Sequence, residues 1–416
     1  VKPSPTQISA ELLRKYDRPG PRYTSYPTVP MWSEDVTDAD YNYALTRAAK
    51  TADSSLAVYC HIPFCRRRCL YCGCNTCITR KAETVNRYLN HLTAEITRAG
   101  ETLRNSRTIN QLHFGGGTPT FIGEGGLARV LDSLEAQFHF TQDCERSIEI
   151  DPREATRDLL EFLSSRGFNR ISLGVQDFDP DVQQAIGRIQ PFELVETVLR
   201  DCRRLGFGGI NFDLIYGLPR QSQQRFIRTL ERTSQLRPER VAVYSFAYLP
   251  KLRPHQASIR PSELPATEEK YRLFAAAIEL FTKAGYRQIG MDHFALPDDE
   301  LAKAQADGRL SRNFMGYTVK ASPDMIGFGM SAISYIDEAF FQNASRLGDY
   351  NAALEEGRWA VYRGLHLSQE DTLRQWVIMS LMCNFVLPFD ELKRRFGITY
   401  KSYFAVEHEQ LAGFIE

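Results

Sequence analysis

Six of the nine cysteines of this 416-residue chain, Cys60, Cys65, Cys69, Cys72, Cys74 and Cys77, fall between positions 60 and 77. Inside that run CRRRCLYC spaces three of them as Cys65-x3-Cys69-x2-Cys72, directly after the apolar run LAVYCHIPF. Thiolates at this spacing suit an iron–sulfur cluster better than a disulfide framework. A four-iron cluster on three cysteines leaves one iron open to an outside ligand. An open position separates a catalytic metal site from a structural one, as for zinc. Zinc is the alternative, because four of these sulfurs could hold it and Cys72-x-Cys74-x2-Cys77 supplies short loops of its own. No Cys-x-x-Cys here opens a thioredoxin-like helix cleanly. Cys60, Cys144, Cys202 and Cys383 read as small buried hydrophobes.

Other residues with chemical potential follow short apolar runs. Gly115, Gly116 and Gly117 precede Thr118 and Pro119. A run without side chains lets backbone amides and carbonyls approach a ligand, although a plain turn would look the same. Glu149 and Asp151, Gln176 and Asp177, Asp213 and Tyr244 occupy comparable places. A carboxylate aimed into a cavity is costly to bury unless it binds something. Glu149 and Asp213 could accept hydrogen bonds from ribose hydroxyls or an amino group, or could form strand-end ion pairs. Arg66, Arg67 and Arg68 could raise a cluster's potential, meet an acidic redox partner, contact substrate carboxylates or form a solvated face. GFGMSA at 327–332 matches the dinucleotide fingerprint only as a string, with no acid about 20 residues on. HEQLA lacks the second histidine of a zincin, and no role can be derived for His293.

The elements that must position these residues alternate. Strand patterns rich in Val, Ile, Phe and Tyr lie at 56–64, 111–114, 146–150, 170–175, 209–215 and 240–246. Helical stripes lie between them: Val85, Leu89, Leu92 and Ile96; Leu127, Val130, Leu131, Leu134 and Phe138; and Val195, Val198, Leu199 and Cys202. Six strand–helix units imply a parallel sheet with right-handed crossovers. The expected fold is α/β, a partial (β/α)6 TIM-like barrel with function at the carboxyl ends of its strands. The cysteine loop follows the first strand, where that rule expects it. Residues 1–50 form an N-terminal extension, 51–345 the barrel with its following elements, and 346–416 a smaller, mainly helical C-terminal domain. Within the second unit, a Pro-rich linker at 249–265 leads to a helix at about 268–284.

Composition excludes several classes. Basic and acidic residues balance at 51 each, so no bulk attraction to nucleic acid or membrane is expected. No apolar run approaches 18 residues, and no signal peptide is visible. Clustered thiols without a secretory signal suggest a reducing, cytoplasmic setting. The chain begins at Val1 and stops inside a helical pattern, so further residues are expected at both ends.

CxxxCxxC with an aromatic residue, Tyr71, before its third cysteine resembles the radical S-adenosylmethionine superfamily, and GGGTPT at 115–120 resembles that superfamily's glycine motif. GPRYTSYPT, YCHIPFC, CGCN, HFGGGTPT, SIEIDPRE, LGVQDF, NFDLIYGLP, GMDHFA, RNFMGYT and GFGMSAIS together resemble the oxygen-independent coproporphyrinogen III oxidase family. They occur in family order from about residue 11 to beyond 390. The resemblance implies a [4Fe-4S] cluster on Cys65, Cys69 and Cys72, and two molecules of S-adenosylmethionine. It assigns the first molecule to Tyr59, Gly116 and Glu149. It assigns the second to Tyr71, Gly117, Thr118, Gln176, Arg188 and Asp213, with Ala247 and Ile333 near the adenines.

The implied chemistry is reductive cleavage of S-adenosylmethionine to a 5′-deoxyadenosyl radical. That radical drives oxidative decarboxylation of the ring A and B propionates of coproporphyrinogen III to vinyls, giving protoporphyrinogen IX in haem biosynthesis. No catalytic residue is implied beyond cluster and S-adenosylmethionine. The substrate's carboxylates need cationic anchors, and Arg22, in a segment that covers the active site in the family, is the expected one. The expected electron donor is reduced flavodoxin and the expected state a monomer. Tyr71 stands where members often carry Phe, and Cys77 has no assigned role. Cys74 and PRYTSYPT are both missing from haem-chaperone relatives, which weighs against that alternative; an anaerobic haem-degrading relative is the other one.

Overall fold

The computed structural model describes residues 23, 25–51, 54–103 and 107–413. Six parallel strands, β1 (Ser54–Ile62), β2 (Arg107–Gly116), β3 (His139–Ile150), β4 (Arg170–Gln176), β5 (Gly209–Tyr216) and β6 (Arg240–Ser245), pair in chain order. All six expected strands are present, most of them longer than the apolar runs that announced them. Helix α1 (Asp38–Ala48) precedes the sheet and starts at a capping box on Thr37. Helices α2 (Ala82–Leu103), α3 (Gly123–Gln137), α4 (Arg157–Ser165), α5 (Pro180–Ala185), α6 (Phe192–Arg204), α7 (Gln223–Leu236) and α8 (Thr267–Lys283) return the chain between strands. The apolar stripes of α2, α3 and α6 are the buried faces of those helices, except that Val85 is half-buried and Phe138 lies just past the end of α3.

Alternation along the strands divides the core into two environments. Leu112, Phe114, Ile148, Ile171, Leu173, Phe212, Leu214, Val241 and Val243 are buried in one continuous apolar cluster with the helices. Gln111, His113, Glu145, Ser147, Glu149, Ser172, Asn211 and Asp213 instead line a cavity inside the barrel. The apolar layers that usually fill such a barrel are replaced by paired polar groups. Arg170 Nε lies 2.7 Å from Glu145, and Gln111 Nε2 donates to the same carboxylate at 2.9 Å.

The sheet continues beyond the expected six strands. After β7 (Arg287–Ile289) and β8 (His293–Ala295), which extend it antiparallel from β6, strand β9 (Asp324–Phe328) returns to lie parallel beside β1. Antiparallel β10 (Ile333–Ile336), β11 (Ala339–Asn343) and β12 (Val361–His366) complete a twelve-stranded sheet. The GFGMSA string therefore opens inside a buried strand and its turn, with no dinucleotide fold around it. Beyond position 345 the helix Leu347–Glu355 is followed by β12, and a run of helices begins at Gln369.

The stretch at 249–265, which reads as a linker in the sequence, is packed structure. Gln256 and Ile259 are buried, and the short helical turn Pro254–Ser258 folds against the cysteine loop, while the turn Pro261–Glu263 is held by Arg220. Proline-rich composition signals an absence of regular hydrogen bonding; it does not reveal what the segment rests on.

Candidate active site

Strand register brings the distant motifs together. Tyr59 of β1 pairs with His113 of β2, Glu149 of β3 with Ser172 of β4, and Gly174 of β4 with Asp213 of β5. Their carboxyl-end loops surround a cavity of about 470 Å³. Cys65, Cys69, Cys72, Tyr71, Gly116, Gly117, Thr118, Glu149, Gln176, Arg188, Asp213 and Ala247 all line it. Tyr59 and Ile333 line an adjoining cavity of about 320 Å³, which shares Cys74, Gly116 and Glu149 with the first. Arg22 lies outside the described residues.

The cysteine loop is held from several sides. Its ends meet where Phe64–Cys65 pairs with Cys77–Ile78, and Cys77 N donates to Pro63 O at 2.7 Å. Leu70 N donates to Ile186 O at 2.9 Å, beyond α5. The proline-rich segment supplies three further bonds: Gln256 Nε2 to Tyr71 O at 3.0 Å, His255 Nε2 to Cys72 O at 2.8 Å, and Arg253 to Asn75 Oδ1 at 3.1 Å. A carbonyl only accepts, so His255 carries its proton on Nε2. The same logic at His61, whose Nε2 lies 3.0 Å from Asn75 O, leaves its Nδ1 to accept from Tyr59 Oη at 3.0 Å. Burial depresses the His61 pKa, in keeping with a neutral ring.

The sulfurs meet donors suited to thiolates. Cys65 Sγ lies 3.5 Å from Thr118 Oγ1, and Cys69 Sγ accepts from Arg188 Nη1 at 3.6 Å, with Arg153 Nη2 at 4.0 Å. Burial pushes the Cys65 thiol up to about 11, whereas a hydrogen bond from Cys74 draws Cys72 down to about 6. Among the described residues no three Cys, His, Asp or Glu side chains converge as they would around a single ion. A cubane cluster holds its cysteines farther apart than one metal ion does. Three thiols on the wall of one cavity, backed by two guanidinium groups, fit that larger group.

The glycine run forms the facing wall. Gly116 has φ +121°, and its N–H donates to Glu149 Oε2 at 3.1 Å. A Cβ on Gly117 would stand 2.7 Å from the carbonyl oxygens of Pro63 and Phe64, so only glycine lets this strand end lie against the start of the cysteine loop. The other Glu149 oxygen is 3.5 Å from His113 Nε2, and His113 Nδ1 is 2.7 Å from Ser147 Oγ. Across the mouth, Asp213 accepts from Ser172 Oγ at 2.9 Å and Asn211 Nδ2 at 2.8 Å. Burial, with the neighbouring Glu149 charge, raises the Asp213 carboxyl to about 6.

Several important residues carry no role in the sequence reading. Asp151 bonds both Arg188, at 2.9 Å, and Arg153, at 2.6 Å. Burial works to raise its pKa, but the Arg153 hydrogen bond and the Arg188 charge outweigh it and hold the carboxyl below its ordinary range. His113, Ser147, Ser172 and Asn211 form the polar layer beneath the cavity. The signal for them was present, as polar residues at every second position of the strands. Asp177, a strand-end candidate, turns away from the site: it is fully buried and accepts from Gln221 Nε2 and Thr229 Oγ1.

Comparison with known proteins agrees with this geometry. The radical SAM superfamily model matches residues 59–233, the span from Tyr59 through the cysteine loop and the next four strands. The oxygen-independent coproporphyrinogen III oxidase of Pseudomonas aeruginosa is 44% identical over 398 residues, covering 95% of this chain and 86% of that protein. The enzyme of that name from Salmonella typhimurium is 43% identical over 401 residues, covering 96% of this chain and 87% of its own length. The solved structure of coproporphyrinogen III oxidase from Escherichia coli, described as a radical SAM enzyme, superposes with a TM-score of 0.91 at 40% identity, covering 97% of this chain and 91% of that one. With motifs, cavity and fold in agreement along nearly the whole chain, this protein belongs to the oxygen-independent coproporphyrinogen III oxidase family of the radical SAM superfamily.

Proposed function

We propose that this protein is a radical SAM oxidoreductase that converts the ring A and B propionates of coproporphyrinogen III to vinyls without oxygen, giving protoporphyrinogen IX. The observation that carries this reading is the convergence of the three motif cysteines, the glycine run and two strand-end carboxylates on one cavity, in a chain of that family. Cys65, Cys69 and Cys72 would hold the [4Fe-4S] cluster. When bound, the cluster supplies the electron that cleaves S-adenosylmethionine and so provides the hydrogen-abstracting agent.

The chain's own residues position and shield. Glu149, fixed by the Gly116 amide, presents a carboxylate oxygen to the cavity for an amino or hydroxyl donor. Tyr59 closes the floor beside it, stacked on His113 with ring centroids 5.9 Å apart. Asp213 offers a second acceptor, and the Arg188–Asp151 pair stiffens the wall behind Cys69. We assign a first S-adenosylmethionine to Tyr59, Gly116 and Glu149. A second goes to Tyr71, Gly117, Thr118, Gln176, Arg188 and Asp213, with Ala247 and Ile333 near the adenines; the wall of Gly116 and Glu149 shared by the two adjoining cavities supports neighbouring molecules.

Residues 1–50 would cover the site, with Arg22 anchoring a substrate carboxylate. The part of that extension within the described residues is tied to β11 and to the C-terminal helices: Trp32 stacks on Phe340, and Gln375 donates to Tyr26 O at 2.8 Å. We place the protein in the cytoplasm as a monomer supplied with electrons by reduced flavodoxin. Nine free cysteines favour a reducing compartment, and among the described residues no helix is long and apolar enough to cross a membrane. Anaerobic reconstitution with iron and sulfide, followed by reduction and addition of S-adenosylmethionine and coproporphyrinogen III, tests the reading. Protoporphyrin after oxidation, together with 5′-deoxyadenosine, is the expected result; cleavage of S-adenosylmethionine with the porphyrinogen intact would reject it.

A further inference from the structure

The chain as a whole is neutral, yet its charge is not spread evenly around the cysteine loop. Residues 65–81 contain five basic side chains, Arg66, Arg67, Arg68, Arg80 and Lys81, and no acidic one. Residues 249–260, which brace that loop, add Lys251, Arg253 and Arg260, again with no acid. Arg66 pairs with Glu154 and Arg260 with Glu263, whereas Arg67, Arg68, Arg80 and Lys251 are exposed.

Apolar side chains protrude among these charges. Leu252 is 73% exposed, and Leu249, Ile189 and Ile78 are also exposed. Each is tied to the loop: Ile78 pairs with Cys65, Ile189 follows Arg188 with its bond to Cys69, Leu252 precedes Arg253 with its bond to Asn75, and Leu249 N donates to Gln256, whose side chain bonds Tyr71 O. Apolar anchors set among an excess of positive charge, with Glu154 and Glu263 taken up by Arg66 and Arg260, mark a protein-docking surface.

We propose that this face, formed by Arg67, Arg68, Lys251 and Leu252 around the cysteine loop, is the docking surface for an acidic one-electron carrier protein. The inference rests on the radical SAM reading, because that chemistry consumes an electron that must enter from outside. The reduced carrier would give up one electron to the cluster that Cys65, Cys69 and Cys72 would hold; no bond is made or broken between the proteins. Complementary charge sets the encounter rate and orientation, and the exposed leucine supplies desolvated contact.

The probe is flavodoxin added to the reconstituted protein. Its affinity is measured by titration calorimetry at low and high salt, and cluster bleaching by reduced flavodoxin is followed in a stopped-flow instrument. The expected results are binding that weakens at least about tenfold between 20 and 200 mM salt, a comparable loss in R67E/R68E and in K251E, and slower bleaching in Leu252→Asp. Salt-independent affinity, or variants that bind flavodoxin as the unaltered protein does, would overturn the proposal. Turnover driven by dithionite separates the alternatives. A raised KM for coproporphyrinogen III in R67E/R68E would assign these arginines to the substrate's carboxylates and also overturn it. Failure of the unaltered protein to convert coproporphyrinogen III with dithionite would instead reject the oxidase reading itself.

Discussion

Arg188 Nη1 stands 2.9 Å from Asp151 Oδ2, and both side chains are almost wholly buried beside Cys69. The same guanidinium donates to Gly174 O at 2.7 Å and to Gln190 at 3.2 Å, so one side chain joins the third and fourth strands to the cysteine loop. Removing one partner of such a pair leaves a buried charge uncompensated, at a cost of about 3 to 5 kcal/mol. Asp151→Ala is therefore expected to lower the urea midpoint strongly. Arg188→Lys keeps the charge but loses the planar fork, and a smaller loss is expected. Equilibrium unfolding of the ligand-free variants checks both.

The Gln256 side chain bonds two carbonyl oxygens, Tyr71 O at 3.0 Å and Ala247 O at 3.2 Å, and accepts from Leu249 N at 2.6 Å. Gln256→Ala strips these buried groups of a partner, at about 1 to 3 kcal/mol. The loop that carries the motif cysteines would then be less well placed. Less iron and sulfide per chain after reconstitution is the expected outcome, read by metal analysis and by visible absorbance.

Gly117→Ala places a methyl group 2.7 Å from two backbone oxygens that have no freedom to move aside. Overpacking of this kind costs about 1 to 3 kcal/mol. The strand end must separate from the cysteine loop, so weakened S-adenosylmethionine binding is expected even where the protein folds. Calorimetric titration of the reconstituted variant measures this directly.

Asp213 supplies a pH signature. Its carboxyl is raised from an ordinary 3.8 to about 6, so the folded state binds the proton more tightly than the unfolded chain does. The stability from that proton is complete below pH 4 and is lost as pH rises through 6. Asp213→Asn removes this loss, while Asp177, also raised to about 6, contributes equally to both proteins. The variant should therefore gain on the unaltered protein by about 2 °C in Tm between pH 4 and pH 7.5, measured without ligand.

The C-terminal part shows how far local pattern reaches. Helices follow one another from Gln369 to Ala412 in a region that reads as mainly helical, and α8 falls within a residue of its expected span. β9 was not legible. DMIGF is five residues long and flanked by Gly and Pro, and it becomes a strand because β1 offers it a free edge. A short strand is stabilised by its partner, and no local sequence reveals a partner more than 250 residues away.

Spacing alone singled out Cys65, Cys69 and Cys72 as candidate iron ligands on one short loop, with zinc as the alternative. Period-two alternation determined that the strands have a polar and an apolar face, because successive side chains point to opposite sides of a sheet. Which polar faces meet was decided only in three dimensions. Register set Glu149 beside the Gly116 amide, and burial made Arg188 and Asp151 depend on each other. Packing turned a proline-rich stretch into the brace of the cysteine loop. These are contacts between segments far apart in the chain, and their energies come from excluding water around groups that no local window contains together.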